Sequence, residues 1–212
     1  MNPQGDGRDT RWSEHRRQRR KELVESTLRA IRHQGATVSL DEIAAEAGTS
    51  KPVLYRHFGD RPGLYRAVVE KVAQFILDDL HASVSWAPTD DLPALVRDLT
   101  HGYLQLVQRD PEIYRFVMSR PLVDGDLADD PVTGLTMRIG ERIADILRAN
   151  HYDSARADTW GHALVGGVRA ATDQWIRAGM TRPVEDVADD LADLLGAAYR
   201  TPQLITTTEE HR

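Results

Sequence analysis

Residues 39–64, SLDEIAAEAGTSKPVLYRHFGDRPGL, constrain the fold of this chain more than any other stretch. Leu40, Ile43, Ala44 and Ala47 recur at helical spacing, so a short helix with one apolar face is expected. Ser39, followed three residues later by Glu42, forms the S-x-x-E capping box that satisfies two N–H groups at a helix start. Gly48 comes after the last apolar position, where helices often end in the left-handed conformation that glycine adopts freely. Ser50 stands where it can cap a second helix, and Pro52 is tolerated in that first turn because its missing N–H has no intrahelical partner. Val53, Leu54 and Phe58 supply the inner face of this second helix, which leaves Lys51, Tyr55, Arg56 and His57 at its start and outer side. Gly59-Asp60 stops it, and Asp60 can cap the next helix. Helix, glycine turn, helix is the layout whose second helix enters the major groove of DNA. An ordinary helical hairpin shares that spacing, so the residue identities must decide.

Those identities resemble the N-terminal domain of the TetR (tetracycline repressor) family. The matching elements are Ile43-Ala44, Ala47-Gly48-Thr49-Ser50, Leu54-Tyr55-Arg56-His57-Phe58, and a basic Arg61 three residues before Leu64. The departures are Thr49 where Val is usual, Arg61 where Lys is usual, and Val38 where a Thr often precedes the cap. This likeness covers about the first third of the chain; the remainder fits in length and helical pattern. It implies an all-α protein, with an N-terminal three-helix helix-turn-helix DNA-binding domain followed by a helical ligand-binding and dimerisation domain. It also implies DNA contacts from Ser39, Thr49, Ser50, Lys51, Pro52, Val53, Tyr55, Arg56, His57 and Arg61. Within that set Lys51, Tyr55 and His57 are expected on phosphate. Pro52, Val53 and Arg56 are expected to read bases, since an arginine can pair with guanine.

Charge supports a nucleic-acid head on a body that does not bind DNA. The net charge of −6 argues at first against a polyanion partner. Residues 1–60, however, hold 11 Lys or Arg against 9 Asp or Glu, a net +2, and residues 61–212 hold 16 against 24, a net −8. The cluster Arg16, Arg17, Arg19, Arg20 and Lys21 lies near the start of the first expected helix, over 13–34. Cations there oppose the helix dipole. A solvated face is the ordinary explanation; in a DNA-binding protein the cluster is expected to touch phosphate, through Arg16 and Arg17 first.

The expected organisation is a mobile arm over 1–12, a DNA-binding domain over 1–60, an effector-binding and dimerisation domain over 61–200, and a frayed tail over 201–212. A fourth helix over 62–83 runs from the head into the body and is the natural mechanical link. Leu92, Leu95, Val96, Leu99, Tyr103, Leu106 and Val107 mark an amphipathic helix, and Asp110-Pro111 breaks it before a short helix over 112–118. The acidic stretch over 121–131 offers Asp124, Asp126, Asp129 and Asp130, but the EF-hand pattern fails at Ala128, so a solvated loop is expected rather than calcium. Helices follow over 132–150, 154–178 and 183–199. Gly161, Gly166 and Gly167 interrupt the second of these, each costing about 1 kcal/mol relative to Ala, and close approach of another helix is the usual compensation. By the family resemblance, the last two helices form a homodimer through Leu164, Val168, Ala171, Leu191, Leu194 and Leu195. The helices over 92–178 carry Tyr103, Phe116, Met118, Met137, Trp160 and Trp175, with Tyr114 beside them, as candidates for a small apolar or amphipathic effector.

No cofactor, metal site or enzyme chemistry is expected. The nucleophile-elbow, Walker A and dinucleotide glycine patterns are absent, and there is no cysteine. The eight histidines show no H-x-x-x-H or E-x-x-H spacing. No run of 18 apolar residues spans a membrane, and the N-terminus lacks a secretory h-region, which fits a cytoplasmic protein. The expected partners are therefore a palindromic double-stranded operator, a second copy of the chain and a small apolar effector. An activator or a ligand-independent regulator of the same fold is the nearest alternative, and an all-helical adaptor the alternative from another class.

Overall fold

The computed structural model describes residues 6–83, 91–119, 130–150 and 152–196, and every regular element among them is helical. In chain order these are α1 (Asp6–Gln34), α2 (Leu40–Glu46), α3 (Lys51–Phe58), α4 (Arg61–Ser83), α5 (Leu92–Arg109), α6 (Pro111–Met118), α7 (Pro131–Ala149), α8 (Ser154–Arg177) and α9 (Val184–Gly196). The chain divides into two compact units. One comprises Met1–Phe75 with Arg109–Leu135, the other Ile76–Gln108 with Thr136–Arg212.

The first unit holds the helix-turn-helix. Leu23, Leu28 and Ile31 of α1 are fully buried and pack with Ile43 of α2 and Leu54 of α3 in one core. Gly35, at φ +93°, closes α1. Two features differ from the sequence expectation. Helix α1 begins at Asp6, so residues 6–12 are helical rather than an irregular arm. The unit is also larger than residues 1–60, because Leu64, Tyr65 and Val68 of α4 and Ile113, Phe116 and Val117 of α6 complete its core. A three-helix head of that length has too little apolar surface to close on itself. Polar contacts fasten α6 to the end of α1 as well. Arg32 is bidentate to Asp110, at 2.6 and 3.2 Å, and the Ala36 N–H donates to Glu112 at 2.9 Å. The Arg32 guanidinium in turn holds the Asp110 carboxyl below its ordinary range.

The acidic-loop expectation falls mostly outside the described residues, Asp124, Asp126 and Asp129 included. Asp130 is described and is not solvated. It is buried and caps α7, accepting from the Val132 N–H at 3.3 Å, the Thr133 N–H at 3.1 Å and the Thr133 hydroxyl at 2.9 Å. The tail over 201–212 also lies outside the described residues.

In the second unit, α7 and α8 cross closely. A Cβ on Gly161 would stand 2.5 Å from the Gly140 carbonyl oxygen and 2.8 Å from the Ala144 nitrogen, so only glycine permits that approach. The other two glycines of α8 differ: Gly167 faces Leu195 of α9 at 3.6 Å, and Gly166 has open space beside it. Arg97 of α5 pairs with Asp189 of α9 at 2.7 Å. Trp175 is buried and donates its indole N–H to the Arg182 carbonyl, which ties the α8–α9 turn.

Candidate nucleic-acid interface

The turn between α2 and α3 takes the geometry its residues call for. Ser39 and Glu42 form the capping box: the Glu42 N–H donates to the Ser39 hydroxyl oxygen at 3.3 Å, and the Ser39 N–H donates to the Glu42 carboxylate at 2.7 Å. Those hydrogen bonds from Ser39 hold the Glu42 carboxyl below its ordinary value. Gly48 adopts φ +58°. The Thr49 N–H reaches back to the Ala44 carbonyl at 2.9 Å, which turns the chain into α3. Ser50 occupies the N-cap position of α3 with extended backbone, but its hydroxyl makes no capping bond, contrary to the sequence expectation.

The candidate DNA contacts sort by what each side chain already does. Pro52, Tyr55, Arg56 and Arg61 are exposed, while Thr49, Val53 and His57 are half-buried. Tyr55 keeps 41% of its surface exposed on the outer side of α3. Arg16 and Arg17 are exposed and make no ion pair among the described residues. Two of these candidates, Ser39 and Lys51, and two members of the α1 basic cluster, Arg19 and Arg20, are engaged within the protein. The Ser39 hydroxyl donates to Glu42 at 2.7 Å. Lys51, at the start of α3, pairs with Asp41 of α2 at 2.9 Å. Arg19 pairs with Glu22 at 3.1 Å. Asp41 was not legible as a partner for Lys51, because ten residues and a turn separate them.

Positive charge gathers at the C-terminal end of α3. Desolvation first, and then the nearby Arg56, Arg19 and Arg20, lower the pKa of His57 below its ordinary 6.5. His57 is therefore mostly neutral at neutral pH, with three arginines close by. That is the electrostatic footprint of a surface that accepts a polyanion.

The six effector candidates divide between the units, with Phe116 and Met118 in the first and Tyr103, Met137, Trp160 and Trp175 in the second. Phe116 is buried against Tyr65, with ring centroids 5.9 Å apart, and Met118 packs on the same core in the first unit. Met137 is 47% exposed. Trp160 packs on Tyr152 with centroids 5.6 Å apart, and Trp175 holds the α8–α9 turn. Tyr103 is half-buried on α5. The second unit instead contains a cleft lined by Leu95, Val96 and Leu99 of α5, Ile143, Ile146 and Leu147 of α7, and Leu164 of α8, with free volume of about 10 Å³ at its centre. Sequence reasoning passed over these residues because aliphatic stripes on amphipathic helices look the same whether or not they enclose a gap.

The dimer candidates also separate. Leu164 and Leu191 are buried within the chain. Val168, Ala171 and Leu195 are half-buried, and Leu194 is 72% exposed.

A capped helix, a glycine turn and an exposed second helix carrying Tyr55 and Arg56 define a helix-turn-helix DNA-binding protein. The chain matches the family of bacterial regulatory proteins, tetR family, over residues 23–68, and the tetracyclin repressor-like C-terminal domain over residues 79–205. It is 37% identical over 177 residues to the HTH-type transcriptional regulator Rv0472c of Mycobacterium tuberculosis, which covers 81% of this chain and 73% of that protein. It is 30% identical over 84 residues to the HTH-type transcriptional activator FasR of Mycolicibacterium smegmatis, covering 40% of this chain and 37% of FasR. Among solved structures, a tetR-family transcriptional regulator from Streptomyces coelicolor superposes with a TM-score of 0.69 at 20% identity, covering 85% of this chain and 80% of that one, a likeness of fold. The chain belongs to the TetR family and is a helix-turn-helix transcriptional regulator. Its family is one of regulators rather than enzymes, and no helix among the described residues is long and apolar enough to cross a membrane.

Proposed function

We propose that the protein is a homodimeric, cytoplasmic repressor that binds a pseudo-palindromic operator and leaves it when a small apolar effector enters the second unit. The all-aliphatic cleft between α5, α7 and α8 is the observation that supports the effector half of this reading. The cleft has room for about one water molecule, so an effector must part α5 from α7 and α8 to enter. Seven aliphatic side chains without a polar anchor favour an alkyl chain as that apolar effector. Coupling between effector and operator is reciprocal and typically 1–3 kcal/mol, about 5- to 150-fold in affinity. Selection on random duplexes yields the operator, and titration of straight-chain aliphatic compounds into the complex tests release. Compounds that bind the protein yet leave operator affinity within about twofold would defeat the effector reading. Activation is the second reading, favoured by the 30% identity over 84 residues to the transcriptional activator FasR.

On DNA, Lys51, Tyr55 and His57 are assigned to phosphate, and Pro52, Val53 and Arg56 to bases. Arg16, Arg17, Thr49, Ser50 and Arg61 supply further contacts, and Lys51 exchanges Asp41 for a phosphate. The lowered pKa of His57 gives a pH test. In the free fold the neutral form is favoured, so its contribution to stability is present above about 6.5 and is lost as pH falls through the lower folded value. A phosphate oxygen beside the ring reverses the preference, so binding takes up a proton. Operator affinity should rise as pH drops from about 8 to 6, by up to about tenfold per subunit for one unit of pKa rise. His57→Gln should flatten the profile; a flat wild-type profile would remove His57 from the phosphate set.

Two chains are read as joining through α8 and α9. Leu164 and Leu191 are already buried in their own chain, so Leu194 is the anchor, flanked by Val168, Ala171 and Leu195. Placing a charge there should cost at least about 2 kcal/mol, roughly 30-fold in dimer dissociation constant. Leu194→Glu is therefore expected to yield monomer in sedimentation at micromolar concentration, and an unaltered dimer would move the interface elsewhere.

A further inference from the structure

The C-terminal end of α3 is held from another helix. A helix leaves its last four carbonyls without intrahelical partners, which matters most when it has only eight residues. The Gly59 N–H takes the Tyr55 carbonyl at 2.7 Å. The His57 carbonyl is taken by Arg20 of α1, whose Nη1 donates to it at 2.5 Å. The same guanidinium lies 4.6 Å from the centre of the Phe58 ring, and Phe58 is buried in the core of the unit. One side chain, 37 residues earlier in the chain, thus fastens both the carbonyl end and the innermost residue of α3. Its sign also suits the negative end of the helix dipole. Its neighbours are used otherwise: Arg16, Arg17 and Lys21 are exposed, and Arg19 is paired with Glu22. The basic cluster of α1, uniform in sequence, therefore divides into solvent-facing cations and one that turns inward.

We propose that Arg20 is a positioning residue for base recognition, setting the register and tilt of α3 against α1 without touching DNA. The assignment rests on α3 being the recognition helix. Base-edge hydrogen bonds are directional and weaken steeply when misaligned, whereas a flexible lysine follows a phosphate through small shifts. Loosening α3 therefore lowers discrimination between operator and random duplex more than it lowers affinity for duplex in general. A direct phosphate contact behaves oppositely. Its loss lowers both affinities together and reduces the salt slope by about 0.9 for each contact removed.

The experiment measures operator and random-duplex affinities across salt for the wild-type full chain, Arg20→Met and Arg20→Lys. Met keeps the packing of the stem and loses the donor and the charge. The expected result for Met is an operator-to-random ratio lowered at least about tenfold, with random-duplex affinity within about twofold and an unchanged salt slope. A base contact is worth roughly 5- to 150-fold, which sets that scale. Lys keeps charge and reach but not the planar stack on Phe58, so a ratio lowered about threefold at constant slope is expected. A fall of both affinities by one factor overturns the assignment, whether it comes from lost phosphate contact or from a partly unfolded head. A Lys variant with the wild-type ratio also overturns it, because charge alone would then suffice. Arg56→Ala, run in parallel, reports on α3 itself. If that variant keeps the operator preference, the recognition reading fails. If it loses the preference while Arg20→Met keeps it, only the Arg20 assignment fails.

Discussion

Gly63→Ala is expected to abolish operator binding and to lower the melting temperature by roughly 6–12 °C. A Cβ at this position would stand 2.0 Å from the Phe58 carbonyl oxygen and 3.0 Å from the Asp60 carboxylate. The first neighbour is backbone at the end of α3, so it cannot swing aside as a long side chain would. Asp60 is held as well, since the Gly63 N–H donates to it at 2.6 Å. Gly59 makes the preceding bend at φ +82°, and no slack is left in the turn that joins the recognition helix to α4. Overpacking of this kind typically costs 1–3 kcal/mol, and a clash with backbone belongs at the upper end. At about 2–4 °C per kcal/mol for a chain of this size, that gives the stated shift. Loss of binding follows because α3 must rotate or unwind to relieve the contact. Gly166→Ala is the control: it meets nothing within 4 Å in mid-helix and should stabilise by about 1 kcal/mol. A Gly63→Ala protein that melts like the wild type and binds operator within threefold would show that the turn yields.

The second large effect is expected at Tyr65. It has no exposed surface, stacks against Phe116 at 55° between ring planes, and donates its hydroxyl to the Val117 carbonyl at 2.7 Å. That carbonyl belongs to the last turn of α6 and, among the described residues, has no helical N–H as partner. Tyr65→Phe leaves it unsatisfied, at a cost of about 1–3 kcal/mol. Tyr65→Ala adds a cavity and should cost about 3–5 kcal/mol. The location of the damage is as informative as its size. Hydrogen exchange should quicken in α6 and the first half of α4 before it quickens in α2. If α6 keeps wild-type protection in the Ala variant, then Arg32–Asp110 and the Glu112 contact to Ala36 hold it unaided.

The position of α6 means that the chain passes between the two units within α4, at the α5–α6 junction and within α7. From sequence, α4 is the continuous element leading out of the head, and so the natural link. In the structure α6 is part of the same core as the helix-turn-helix, and it follows α5 directly through Asp110.

Local chemistry was legible where neighbours in sequence are also neighbours in space. The Ser39–Glu42 box, the turn at Gly48 and the inner face Leu54–Phe58 each depend on residues at most four positions apart, and each is found as read. The element order and the breaks at Asp110-Pro111 and Gly179 follow from the same short-range rules. Helix periodicity says which residues turn inward, but not which other helix they meet. Phe116 and Trp175, equal as large apolar residues on amphipathic helices, therefore ended in different units. Arg16 and Arg20, one helical turn apart in one basic run, became a solvent-facing cation and a clamp on a carbonyl of α3. Leu191 and Leu194, three residues apart in one leucine-rich stripe, became a core residue and an exposed one. Hydrogen bonds to a carbonyl 37 residues away, or packing against a helix 50 residues on, depend on the three-dimensional path of the chain, and only the tertiary structure decides them.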